Sequence, residues 1–157
     1  MTLPNPITPS LWHDCDSLYM EHQTLCLQLQ DDHQLNVNLL LLALWLDKHH
    51  YSLPEPQWQT LQQATLAWEQ KLLLPYRQLR RQSKTMLETD EYQQMLKLEL
   101  VLERKSQAMI LKALQSMLVK IGVNTNNANL SHYLALFDLD SRDFPSLQTS
   151  LHNNKKP

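Results

Sequence analysis

Apolar side chains return along this chain at intervals of three and four residues, the spacing that gathers them on one face of a helix. Leu11, Trp12, Cys15, Leu18 and Tyr19 form the first such face, after a start kept extended by Pro4, Pro6 and Pro9, with Ser10 as the expected N-cap. Leu25, Cys26 and Leu29 mark a second, short helix over residues 24–31. Asn36 is the next cap, opening a helix over about 37–49 whose run from Leu39 to Leu46 is apolar on every side. A helix of that kind is surrounded by others, so this one is expected at the centre of the core.

Leu53-Pro54-Glu55-Pro56 ends that element and starts another, with Pro56 in its first turn and Trp58, Leu61, Thr65, Trp68 and Leu72 as its inner stripe. Pro75 then kinks or breaks the helix, because it lacks an N–H and crowds the carbonyl four residues back. Thr89 is the expected cap of the longest helix, about 89–121, with the single glycine, Gly122, at its C′ position. Residues 1–122 thus read as one helical domain, 123–140 as a polar loop and a short helix packed on it, and 141–157 as a flexible tail.

Composition sharpens the fold class. One glycine in 157 residues leaves almost nothing for hairpin turns and bulges, while Leu, Gln, Met, Lys and Glu favour helix. The expectation is an all-α, single-domain helical bundle. A formal net charge of −2 argues against a dedicated nucleic-acid binder. The longest apolar run is far short of the ~20 residues of a membrane span. With no leader pattern at the start and two cysteines, Cys15 and Cys26, placed like core residues rather than metal ligands, a cytoplasmic protein is expected.

One polar constellation stands out. Beyond Pro75, Arg77, Arg80, Arg81 and Lys84 gather on one side of a helix. On the longest helix, at ~100° per residue, Glu99 and Glu103 fall on the same face as Tyr92, Ile110 and Leu114. Two carboxylates on a core-facing stripe need partners. An antiparallel hairpin would bring the arginines to them, either as a salt-bridge network fixing register or as a pocket for an anion or small molecule.

A second cluster, Asp31, His33, Asn36 and Asn38, reads as a tight interhelix turn with Asn36 capping and Asn38 bonding locally. Asp31 and His33 could ligate a metal, but their spacing is unspecific, and the long helix lacks the Glu-x-x-His pair of bundle di-iron sites. No metal, cofactor or catalytic residue is expected, since no Ser-His-Asp arrangement, P-loop or glycine-rich phosphate cradle occurs.

Several segments together resemble a known family. They are Leu11-Trp12, Leu18-Tyr19, Cys26-Leu27-Gln28-Leu29-Gln30-Asp31, Val37-Asn38-Leu39-Leu40-Leu41 and Leu44-Trp45-Leu46. Downstream, Ala64-x-x-x-Trp68, Pro75-Tyr76-Arg77-x-x-Arg80-Arg81-x-x-Lys84 and Glu99-Leu100-x-x-Glu103-Arg104 continue the likeness. From Leu11 to Leu114 the chain resembles an uncharacterised proteobacterial family of similar length with a CLxLQD…VNLLL…LW signature. It departs in having Gln34 where the family tends to carry glycine, and Asn36 where it carries aspartate. The resemblance implies a helical bacterial cytoplasmic protein and no particular activity.

Two functions compete on these residues. One is a non-enzymatic interaction, adaptor or regulatory protein with a protein partner. The other is a small-molecule or anion-binding protein, or a small enzyme, built on Arg77, Arg80, Arg81, Glu99 and Glu103.

Overall fold

The computed structural model describes residues 7–117, 120–121 and 128–152. Its elements run α1 (Leu11–His33), α2 (Val37–Lys48), β1 (Tyr51–Ser52), α3 (Glu55–Trp68), a π-helical turn (Glu69–Leu73) and α4 (Leu74–Ser83). They continue with α5 (Thr89–Gln115), β2 (Lys120–Ile121), α6 (Ala128–Ala135), a 3₁₀ turn (Ser141–Asp143) and α7 (Pro145–His152). The molecule is an all-α single domain, and β1 and β2 are a two-residue antiparallel ladder pairing Tyr51 with Ile121 and Ser52 with Lys120.

α2 lies at the centre, as its all-round apolar sequence requires. Leu39, Leu40, Leu42, Ala43, Leu44 and Leu46 are fully buried, and α1, α6, α7 and the end of α5 pack around them. Burial of a Leu side chain contributes about 1.5–3 kcal/mol, so this one helix anchors much of the core.

Several boundaries differ from the sequence reading. The two expected amino-terminal helices follow each other within α1 as two segments, separated by a kink at His22 (φ −120°, ψ 23°) rather than by a loop. Ser10 does not cap it through its side chain; its hydroxyl meets Thr8 Oγ1 at 2.7 Å. α5 is capped by Glu88 rather than Thr89, because the Glu91 carboxylate accepts from the Glu88 N–H at 2.9 Å.

α5 also stops at Gln115. There the Ser116 and Met117 N–H groups turn back to Ala113 and Leu114, and the Ser116 hydroxyl takes the Ala113 carbonyl at 2.7 Å. Gly122 lies outside the described residues. Where the sequence predicts a loose tail from Ser141, the chain through His152 is mostly helical, and Leu147 is fully buried against the core.

Pro75 does not break the helix. The π turn before it opens the helix by one residue per turn, which accommodates a residue that cannot donate, and α4 continues beyond. The most consequential feature is where the core ends. No residue between Leu61 and Ile110 belongs to the main hydrophobic cluster. The π turn, α4 and most of α5 therefore form a hairpin beside the core rather than within it.

Candidate functional site

Polar pairs close that hairpin around one fully buried leucine, Leu73. Arg77 on α4 is only 8 % exposed; it donates to Glu103 on α5 at 2.8 Å and lies 3.7 Å from Glu69 in the π turn. Arg80 donates through Nε to Glu99 at 2.6 Å and through Nη1 to the Tyr92 hydroxyl at 3.0 Å. Ser106 Oγ donates to Glu69 at 3.2 Å, Tyr76 to the Met95 carbonyl at 2.8 Å, and Trp68 Nε1 to the Leu102 carbonyl at 3.0 Å. Burial raises the Glu69 carboxyl above its ordinary range, opposed by Arg77 and reinforced by Glu103, since two carboxylates share one guanidinium.

Arg81 points the other way. It leaves the hairpin and pairs with Asp31 of α1 at 2.9 Å, with both side chains half exposed. The two clusters separated in sequence thus meet, with Asp31 joining the arginines. A cleft of about 390 Å³ opens between α1–α2 and α4–α5. Tyr19, Leu27, Val37, Leu41, Leu96 and Leu100 give it apolar walls, and Arg77, Arg80, Arg81, Arg104, Glu99 and Glu103 its polar ones.

The rest of the second cluster serves the core. Asn36 caps α2, accepting from the Asn38 and Leu39 N–H groups at 2.9 and 3.4 Å, and its own N–H donates to the Tyr133 hydroxyl at 2.9 Å. Asn38 bonds locally through its N–H to Asn36, while its side-chain oxygen accepts from Gln107 of α5 at 3.2 Å, tying α2 to the hairpin's base. His33 lines a separate cavity of about 130 Å³ with Gln62, Thr65 and Glu69, on the other side of Arg77 from the larger cleft. Among the described residues no three His, Cys, Asp or Glu side chains gather as metal ligands, and no helix is long and apolar enough to cross a membrane.

Sequence reasoning missed two members. Glu69 was hidden by the π turn that separates it from Arg77. Asp47 was visible only as one carboxylate ending an apolar run. It is buried and accepts from the Asn129 N–H (3.0 Å), Asn129 Nδ2 (2.8 Å) and the Leu130 N–H (3.0 Å), capping α6 from α2.

A family profile described as "Protein of unknown function (DUF2390)" matches residues 10–110, about two-thirds of the chain. The chain belongs to this family. No curated protein and no solved structure matches it. The DUF2390 segment runs from the start of α1 through most of α5, so it holds the central helix, the hairpin and all five residues of the Arg/Glu constellation.

Proposed function

We propose that this chain is a non-catalytic helical interaction protein, an adaptor or regulator, that meets a protein partner through the α4–α5 hairpin. One observation carries the reading. Between Leu61 and Ile110 no side chain joins the main core, yet Leu79, Met86, Leu98 and Val101 are all about half exposed or more. Apolar side chains that neither build a core nor sit singly mark an interaction surface. They line neither of the two cavities described above, which suits a protein surface better than a small molecule. Arg77 and Arg80 are already matched by carboxylates, so the Arg/Glu constellation reads as the clasp that holds the hairpin shut. Cys15 and Cys26, buried and unpaired, fit a reducing compartment such as the bacterial cytoplasm.

The cleft favours a second reading. Its volume and mixed walls are those of a small-molecule site, and native mass spectrometry of protein purified without additives would reveal a retained ligand. The interaction reading is tested by placing a photo-crosslinking amino acid at position 79, 98 or, on the far exposed side of α1, position 13. Protein adducts are expected from 79 and 98 in intact cells and not from 13. Equal labelling at all three positions, or none at any, would overturn it.

A further inference from the structure

The outer face of α5 carries a pattern that neither the clasp nor the core uses. Glu91, Leu98, Lys105 and Lys112 recur every seven residues, and Val101 falls between them on the same stripe; all five are exposed. A seven-residue recurrence keeps a helix face in register with a neighbouring helix. The stripe is apolar at its middle. Its start is acidic, with Asp90 and Glu91, and its end is basic, with Lys105 and Lys112.

We propose that this face docks a second copy of the chain, the two α5 helices pairing antiparallel about a two-fold axis that passes between Leu98 and Val101. The inference rests on the hairpin being the interaction element, and names its partner. In an isologous contact each surface must complement itself. Glu91 lies about 13 Å along the helix on one side of the axis, and Lys105 and Lys112 about 8 and 19 Å on the other, at 1.5 Å per residue. The acidic turn of each copy therefore faces the basic segment of the other, while Leu98 of one meets Val101 of the other. A parallel pairing would stack Lys105 on Lys105 and Glu91 on Glu91.

The back of α4 offers no such match. Leu72, Leu79 and Met86 are also seven apart, but no acidic residue lies between Glu69 and Glu88 to oppose Lys71, Arg81 and Lys84. A seam of about three turns is small, so the dimer belongs to the weak class that forms at micromolar concentrations or above.

The test uses the full chain in sedimentation experiments over a concentration series, with Asp90→Lys and Lys105→Glu as separate variants. Wild type should pass from monomer to dimer. Each variant alone places like charges across the seam and should weaken dimerisation about tenfold or more. An equimolar mixture of the two variants should recover it, because each then complements the other. Circular dichroism of each variant should be unchanged, since both positions are exposed.

As an independent readout, Val101→Cys treated with a short bis-maleimide should crosslink to itself and Met86→Cys should not; the native cysteines are buried. A chain that stays monomeric with no crosslink at 101 overturns self-docking, while hairpin adducts to other proteins would still uphold the interaction reading. A dimer that is indifferent to both charge changes overturns this geometry. A dimer with no adduct to any other protein upholds self-docking and removes the separate protein partner.

Discussion

Arg77 is the residue on which the hairpin's closure turns. It is nearly buried, with Glu103 at 2.8 Å and Glu69 at 3.7 Å, so losing either carboxylate still leaves it a counter-charge. Arg77→Gln strands two carboxylates instead, and should cost about 3–5 kcal/mol, the range for breaking a buried pair. Glu103→Gln should cost less, about 1–2 kcal/mol, because the side chain is 32 % exposed and water screens part of the loss. Urea unfolding of the two variants gives the order, and a larger cost for Glu103→Gln would contradict it.

Gln34 gives a second residue-scale test. Its φ of 58° is left-handed, a region where glycine pays no steric penalty. Gln34→Gly should stabilise the fold by up to about 1 kcal/mol, the relief of left-handed strain partly offset by the entropy of the unfolded glycine. The arginines, Glu99 and Glu103 were legible because a wheel at a fixed angle holds along α4 and α5. Glu69 was not, because the wheel cannot be carried through a π turn. The side-chain bond of Asn38 to Gln107 was not legible either, because the two are distant in sequence and nothing local announces it.

Among the elements, α2 was the most legible, since an all-round apolar run admits only a central position. Leu42→Ala or Leu44→Ala should cost about 2–5 kcal/mol. Element ends were harder to read. The stop of α5 depends on the Ser116 hydroxyl, and the order of α7 on one buried leucine, Leu147, that a tail of polar residues obscures.

The junction of α2 with α6 adds a pH dependence. Burial pushes the Asp47 carboxyl up from 3.8 to about 6, against the pull of its bonds to Leu130 and Asn129. Between those values the folded protein holds a proton that the unfolded chain has lost. The contribution of Asp47 is therefore full below about pH 4 and declines as pH rises through about 6. Comparing wild type with Asp47→Asn by thermal unfolding across that window isolates the effect: the advantage of wild type should shrink as pH rises. An advantage that grows instead would mean the N–H donors outweigh burial.

At the scale of the molecule, the chain divides its work. An apolar core built around α2 gives stability, and a hairpin clasped by polar pairs beside it presents the surface we assign to docking. Local stability follows the density of buried apolar contacts, so the hairpin should open without unfolding the core. Native-state hydrogen exchange of wild type and Leu44→Ala tests this most directly. Amides of α2 should exchange only through global unfolding and lose protection in the variant. Amides of α4 and of residues 89–107 should exchange by a cheaper local opening and keep their wild-type rates. If both sets lose protection together, the hairpin and the core are one cooperative unit, and the division proposed here is wrong.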